Sequence, residues 1–162
     1  MEKDILPELV QRAAEALQAD GLRLAAAESC TGGWISKVCT DLAGSSEWFE
    51  CGFVTYSNEA KQEMLEVSEL TLQIHGAVSE ETAAEMVRGA IANSRADVAV
   101  AVTGIAGPGG ATQNKPVGMV CFAWLVPDQR VKTATAYFEG DREQVRRQTV
   151  EHSLNGLLGL LG

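Results

Sequence analysis

The stretch Leu22-Arg23-Leu24-Ala25-Ala26-Ala27-Glu28-Ser29-Cys30-Thr31-Gly32-Gly33 decides the fold of this chain. Residues 22–27 form a short apolar run typical of a buried strand, and an amphipathic segment begins near Thr31. Ser29 is therefore predicted where a strand is followed directly by a helix. A serine hydroxyl there lies beside the unpaired N–H groups of the helix, so one turn can supply both a nucleophile and oxyanion donors. The alternative is that Ser29 or Thr31 only caps the helix.

Helix and strand patterns alternate outward from this stretch. Apolar spacing predicts helices over residues 4–18, 31–42, 58–67, 69–74, 79–93 and 141–161, and strands over residues 22–27, 48–56, 96–103, 117–126 and 131–138. The last two strands are predicted to form a hairpin, and Asp141 with Gln144 a capping box. We therefore expect an α/β fold, with residues 1–162 forming a single three-layer α/β/α domain on a mixed, mostly parallel sheet.

Composition narrows the class of protein. The net charge of −9 argues against a nucleic-acid partner, because such proteins usually carry a basic face. No apolar run approaches the roughly 18 residues of a membrane span, and the charged start Met1-Glu2-Lys3-Asp4 does not resemble a signal peptide. A cytoplasmic protein without a membrane partner is expected. The four cysteines and two histidines lack the spacing of zinc ligands, so we expect reduced cysteines, no metal and no cofactor.

A second candidate group for chemistry contains Tyr56 and Lys61. With Asn58 as N-cap, Lys61 is the third helical position, where the helix dipole disfavours a cation and lowers its pKa by well under one unit. Desolvation in a pocket can supply the larger shift that a lysine base needs. The alternative is a solvated lysine paired with Glu59 or Glu63, with Tyr56 a packing residue.

A glycine-rich loop, Thr103-Gly104-Ile105-Ala106-Gly107-Pro108-Gly109-Gly110, follows the central strand. Open α/β sheets bind ligands at this end of their strands. The loop lacks the Gly-Lys-Ser/Thr of a P-loop and the glycine spacing of a dinucleotide site. It is therefore predicted only to let the backbone approach a ligand closely.

Charged residues near the two ends of the chain leave alternatives open. Arg142 and Arg146 are four apart on one face of the last helix, near its N-terminus, which suits a phosphate. They can equally pair with acids such as Asp141 and Glu143. Glu28 is a possible acid or lysine partner, or a structural residue.

Several blocks, in order and together spanning roughly residues 5–160, resemble the signature series of the CinA C-terminal domain family. They are Ala27-Glu28-Ser29-Cys30-Thr31-Gly32-Gly33, Gly52-Phe53-Val54-Thr55-Tyr56-Ser57-Asn58-Glu59-Ala60-Lys61, His75-Gly76-Ala77-Val78-Ser79, Thr103-Gly104-Ile105-Ala106-Gly107-Pro108, Lys115-Pro116-Val117-Gly118 and Gly140-Asp141-Arg142. Each block alone is a weak signal, whereas the ordered set is highly specific.

The resemblance implies a function. Stand-alone members of the family are nicotinamide-nucleotide amidases of pyridine nucleotide salvage. They hydrolyse the carboxamide of nicotinamide mononucleotide to nicotinate mononucleotide and ammonia. The family's serine nucleophile, lysine and active-site tyrosine then correspond to Ser29, Lys61 and Tyr56, and a phosphate-binding arginine to Arg142 or Arg146. The N-terminal domain of longer members is absent from this sequence, so activity belonging to that domain is not expected.

The implied substrate is a small molecule, and two further groups of residues are expected to bind it. Backbone N–H groups of the turn are candidates for the oxyanion hole, and the glycine loop is expected to line the pyridine or ribose. These residues are Thr31, Gly32 and Gly33 in the turn, and Thr103, Gly104, Ile105, Ala106 and Gly107 in the loop.

Other functions stay open at this point. The same pocket can belong to a nucleotide-binding regulatory module without chemistry, or the chain can be an accessory protein of competence or DNA damage, against which the net charge counts. The leucine-rich segment 154–161 favours a homo-oligomer, although it fits core packing equally well. The sequence does not distinguish the mononucleotide, its riboside and nicotinamide as substrates.

Overall fold

The structure is a computed structural model that describes residues 3–162. Its helices are α1 (Leu6–Ala19), α2 (Trp34–Asp41), α3 (Asn58–Leu65), α4 (Glu69–His75), α5 (Glu80–Ala92) and α6 (Arg142–Leu161). Its strands are β1 (Leu24–Glu28), β2 (Phe49–Val54), β3 (Val98–Gly104), β4 (Met119–Leu125) and β5 (Lys132–Tyr137). A short 3₁₀ helix, Ser45–Glu47, precedes β2. None of the helices in residues 3–162 is long and apolar enough to cross a bilayer.

The strands form one mixed sheet in the order β2-β1-β3-β4-β5. Strand β1 pairs in parallel with both β2 and β3, whereas β4 is antiparallel to β3 and β5 is antiparallel to β4. Strand β4 is therefore antiparallel to the other four described strands. The α/β class, the mixed sheet and the antiparallel hairpin are confirmed.

The central strands are buried on both faces, as expected for strands between two helical layers. Leu24 and Ala26 of β1 belong to one core cluster, and Ala25 and Ala27 to the other. Strand β3 alternates in the same way. The first cluster is covered by α1, α2 and α6, and the second by α3, α4 and α5. These are the three layers predicted from the alternating pattern.

The C-terminal leucines pack into the first cluster. Leu154 and Leu157 are fully buried, and Leu158, Leu160 and Leu161 are partly buried against the same cluster. Trp124 of β4 holds this helix in place, since its indole N–H donates to the Ser153 carbonyl at 3.0 Å. Core packing accounts for the leucine-rich segment 154–161, and a homo-oligomer stays a prediction.

Two helix starts differ from the prediction. Helix α2 begins at Trp34 rather than near residue 31, because Gly32 and Gly33 adopt positive φ angles of 59° and 103° and form a turn. The cap of α3 is Ser57, whose hydroxyl accepts from the N–H of Ala60, so Lys61 is the fourth helical position rather than the third. The capping box of Asp141 with Gln144 is confirmed.

Close packing of α5 against α3 requires a glycine. A Cβ on Gly89 would lie 1.9 Å from the Leu65 carbonyl oxygen, whereas a Cβ on Gly159 in α6 would meet nothing within 4 Å. We predict that Gly89→Ala lowers the free energy of unfolding by about 1–3 kcal/mol, the usual cost of overpacking. Gly159→Ala, the matched control, should raise it by up to about 1 kcal/mol through helix propensity. Urea unfolding of both variants measures this, and equal effects would contradict the close contact.

Candidate active site

Ser29 follows the last residue of β1 and lies in the turn that leads to α2. Its backbone N–H donates to the Val102 carbonyl at 3.1 Å, and its own carbonyl accepts from the Gly32 N–H at 3.1 Å. The side chain is nearly buried, with 7% of the residue exposed. The turn is thus tied to β3 at one end and closed on itself by a glycine with positive φ, which fixes the position of the hydroxyl.

Glu28, the residue before Ser29, holds this turn from inside the protein. Its buried carboxylate accepts hydrogen bonds from Thr31 Oγ1 at 2.6 Å, Ile35 N at 2.8 Å, Ser36 N at 3.0 Å and Ser36 Oγ at 2.7 Å. A carboxylate at a helix N-terminus satisfies N–H groups that the helix leaves unpaired and interacts favourably with its dipole. Between the alternatives for Glu28, the structure therefore favours the structural one.

Lys61 on α3 is the partner of Ser29. Its Nζ lies 3.0 Å from Ser29 Oγ, and it donates to the carbonyl oxygens of Thr55 at 2.9 Å and Tyr56 at 3.0 Å. Only 1% of the residue is exposed, so the alternative of a solvated surface lysine is wrong. Burial lowers the pKa of Lys61 below that of a free lysine because the charged ammonium loses its hydration.

All three contacts fit an ammonium that donates three hydrogen bonds, and they also fit a neutral amine. A neutral lysine has two N–H hydrogens and one lone pair, and two carbonyls are placed to accept the two hydrogens. The lone pair is then left to accept the proton of the Ser29 hydroxyl. Geometry and burial together make Lys61 capable of acting as a general base toward Ser29.

Cys30 is beside Ser29 but is not suited to be the nucleophile. Burial raises the pKa of its thiol to about 12, so the thiol stays protonated near neutral pH. A thiol becomes a strong nucleophile only as the thiolate. Between these two side chains, the Ser29 hydroxyl is therefore the better candidate for a nucleophile.

Most of the predicted site residues line one cavity of about 280 Å³. They are Ser29, Tyr56, Lys61, Thr103, Gly104, Ile105, Ala106, Gly107 and Arg142. Cys30, Gly109, Gly110 and two residues of the linker between α4 and α5, Ala77 and Val78, also line it, and Thr103 Oγ1 donates to the Ala77 carbonyl at 2.8 Å. Prediction from residue chemistry missed Ala77 and Val78 because their side chains are apolar, and the one sequence signal for them was their presence in a family block.

Tyr56 and Arg142 meet at the edge of the cavity. Arg142 donates through Nη1 to the Gly107 carbonyl at 2.8 Å and through Nη2 to the Tyr56 hydroxyl at 3.3 Å. Tyr56 is 63% exposed, which excludes the packing alternative. Its carbonyl contacts Lys61, whereas its hydroxyl contacts Arg142.

The other predicted residues lie elsewhere. Thr31, Gly32, Gly33 and Arg146 line a second cavity, and the Gly32 N–H, a candidate oxyanion donor, is engaged by the Ser29 carbonyl. The side chains of Thr31 and Arg146 are occupied by Glu28 and by backbone carbonyls respectively. The structure thus separates Arg142 from Arg146, which the helical spacing had placed together.

No cluster of three or more histidine, cysteine, aspartate or glutamate side chains within residues 3–162 is arranged to hold a metal ion. The polar side chains that line the cavity are the hydroxyls of Ser29 and Thr103, the Cys30 thiol, the Lys61 amine, the Tyr56 phenol and the Arg142 guanidinium.

Comparison with known proteins agrees with this architecture. The model of the CinA C-terminal domain family matches residues 7–161. The chain is 52% identical to nicotinamide-nucleotide amidohydrolase PncC of Escherichia coli K12 over 152 residues, which cover 94% of this chain and 92% of that protein. It is 49% identical to the protein of the same name from Pseudomonas putida, with 97% and 98% covered.

Among solved structures, the competence/damage inducible protein CihA from Agrobacterium tumefaciens superposes with a TM-score of 0.95 at 43% identity, covering 100% of this chain and 99% of that one. The family match over nearly the whole chain, the identities to these relatives and the shared fold lead to one conclusion. The chain belongs to the CinA C-terminal domain family.

Proposed function

We propose that this protein hydrolyses the carboxamide of nicotinamide mononucleotide to nicotinate mononucleotide and ammonia, with Ser29 as nucleophile and Lys61 as base. The observation that carries the mechanism is the buried contact between Lys61 Nζ and Ser29 Oγ at 3.0 Å. The choice of substrate is supported by the names of the relatives, which are nicotinamide-nucleotide amidohydrolases. The process it would serve is pyridine nucleotide salvage.

The first half of the reaction forms an acyl-enzyme. Ser29 Oγ attacks the carboxamide carbon while its proton moves to Lys61 Nζ. The two carbonyls of Thr55 and Tyr56 hold the resulting ammonium by its other hydrogens. When the tetrahedral intermediate collapses, the C–N bond breaks and the leaving amide nitrogen takes that proton and departs as ammonia.

The second half regenerates the serine. A water molecule attacks the acyl carbon and passes a proton to Lys61, which returns it to Ser29 Oγ as the ester bond breaks. The product carries a carboxylic acid in place of the amide. Lys61 is neutral at the start of each half, which is the state that burial favours.

The phosphate end of the substrate is assigned to Arg142. This arginine and the Tyr56 hydroxyl stand at the edge of the same cavity that contains Ser29 and Lys61. A guanidinium binds phosphate oxygens through charge-assisted hydrogen bonds. Arg146, which holds the turn from the other cavity, is not part of this assignment.

Removal of either member of the pair should abolish turnover. We predict that Ser29→Ala and Lys61→Ala each lower kcat for nicotinamide mononucleotide by at least about 10³-fold, since nucleophile and base act as a unit. An assay of ammonia release with EDTA present measures this. Ser46→Ala and Lys132→Ala, at exposed positions, are the matched controls and should keep wild-type rates. Near-native activity in a Ser29 or Lys61 variant would overturn the mechanism, and binding without ammonia release would identify a regulatory module.

The activity should depend on the ionisation of Lys61. Its pKa is lowered by burial, and only the neutral amine accepts the serine proton, so the active fraction grows as the pH rises through that pKa. We predict that log kcat/KM rises with pH with a limiting slope of about one on the acid side and levels off below the pKa of a free lysine. A pH profile without this acid limb would contradict a lysine base.

Arg142 should distinguish substrates with and without a phosphate. We predict that Arg142→Gln lowers kcat/KM for nicotinamide mononucleotide by about 10–100-fold, the effect of a hydrogen bond to a charged group. The rate with nicotinamide riboside should change less than about twofold, because the riboside has no phosphate to lose contact with. Parallel assays of ammonia release test this, and equal losses for both substrates would remove Arg142 from the phosphate site.

A further inference from the structure

A second cavity, of about 670 Å³, lies between α1, α2 and α6 and shares no lining residue with the catalytic cavity. Its volume falls within the range of small-molecule sites, and it is larger than the cavity that contains Ser29. The turn after β1 borders both spaces: Ser29 and Cys30 line the catalytic cavity, and Thr31 and Gly33 line the second one.

The second cavity combines apolar walls with convergent charges. Leu6, Val10 and Val38 form buried apolar walls, next to the ring of Trp34. The charged side chains that line the cavity are Asp4, Lys37, Asp41, Arg146 and Arg147. Apolar walls with a few placed polar groups are the usual composition of a ligand site.

Ion pairing leaves one of these cations without a counter-charge. Lys37 Nζ contacts Asp41 at 2.7 Å, and Arg147 Nη1 contacts Asp4 at 3.0 Å. Among residues 3–162, Arg146 has no carboxylate within 4 Å, and its guanidinium lies 5.4 Å from the centre of the Trp34 ring. The cavity therefore has an excess of positive charge in a chain whose net charge is −9.

Arg146 also supports the catalytic turn. Its Nε donates to the Cys30 carbonyl and its Nη2 to the Thr31 carbonyl, each at 3.0 Å. These carbonyls immediately follow Ser29 in the chain. Its Nη1 donates to no acceptor in the described part of the chain, so the guanidinium retains hydrogens that an anion can accept.

We propose that this cavity is a second ligand site, for a small organic anion whose carboxylate or phosphate ester is attached to an apolar body, and that its ligand acts on Ser29 through Arg146. The apolar body packs against the walls and Trp34, and the anionic group binds Arg146 and Arg147. An anion that binds Nη1 in the cavity pulls the guanidinium away from the Cys30 and Thr31 carbonyls, to which Nε and Nη2 donate. This loosens the turn that holds the serine and lowers kcat, while KM is unchanged because the catalytic cavity is separate.

Calorimetric titration of the full chain tests the site itself, without reference to activity. The probes are phenyl phosphate and phenylacetate, which combine an anion with an apolar ring. The controls are inorganic phosphate, an anion without the ring, and benzyl alcohol, a ring without charge. We expect the first two to bind at one site and the last two at least about tenfold more weakly. The probe that binds more tightly shows whether the site favours a phosphate ester or a carboxylate.

Three matched arginine variants locate the binding. Arg147→Gln should weaken phenyl phosphate binding by about tenfold, the effect of one hydrogen bond to a charged group. Arg142→Gln, in the catalytic cavity, and Arg88→Gln, at an exposed position on the other face of the sheet, should leave it unchanged. Circular dichroism verifies that each variant folds. Loss of phenyl phosphate binding in Arg142→Gln overturns the assignment to the second cavity. Equal affinity in Arg147→Gln and Arg88→Gln overturns it as well.

The kinetic part of the test rests on the proposed amidase function. With saturating phenyl phosphate, kcat for nicotinamide mononucleotide should fall severalfold at constant KM, whereas a rise in KM alone would place the probe in the catalytic cavity. An unchanged kcat would overturn the link through Arg146 but not the site, which the calorimetry decides even if no amide is hydrolysed. Sedimentation measures the oligomeric state in the same experiment. If no probe binds and Arg147→Gln dissociates an oligomer, the cavity is an interface between copies of the chain, and the proposal is overturned.

Discussion

The buried carboxylate of Glu28 is the interaction on which the rest of the site depends. It ends strand β1 and accepts three hydrogen bonds from Ile35 and Ser36 of α2 and one from Thr31 in the turn, so a single side chain joins the sheet to the helix. A buried charge is stable only when its hydrogen-bonding capacity is filled, and here two N–H groups of the helix and two hydroxyls fill it. Ser29 lies between the strand and the helix that Glu28 joins. Glu28 therefore fixes the position of Ser29 together with the backbone hydrogen bonds that Ser29 makes with Val102 and Gly32.

Burial of Lys61 is the second constraint, and it links stability to chemistry. A charged ammonium at this position would lose its hydration, which lowers its pKa and favours the neutral amine that a base must be. In many serine–base pairs a carboxylate orients the base. Here Glu28 is occupied by α2, and two backbone carbonyls orient Lys61 instead. Neutral carbonyls stabilise the protonated amine less than a carboxylate would, so they oppose the effect of burial on the pKa of Lys61 less strongly.

Helix α6 connects the two cavities through side chains of its first turns. Arg142 reaches the glycine loop and Tyr56 at the edge of the cavity that contains Ser29, and Arg146 reaches the carbonyls of Cys30 and Thr31 from the second cavity. Residues four apart share a helix face, but long side chains extend in different directions when their partners differ. The spacing left phosphate binding and pairing with acids such as Asp141 and Glu143 open for both arginines, whereas hydrogen bonds to two different loops separate them in the structure.

Local signals in the sequence were sufficient to determine the order of helices and strands, the capping box at Asp141 and the hairpin of β4 and β5, because periodicity and caps depend on neighbouring residues. The ordered motifs also determined the family and brought Ser29, Tyr56 and Lys61 forward as a group. Only the tertiary structure decided that Lys61 is buried, that Glu28 serves α2, and that Arg146 belongs to another cavity. Each of these depends on contacts between residues distant in the chain or on the path of the β1–α2 turn, which no local pattern encodes. The sequence therefore determined which residues are candidates, and the packing of three layers decided which of them meet.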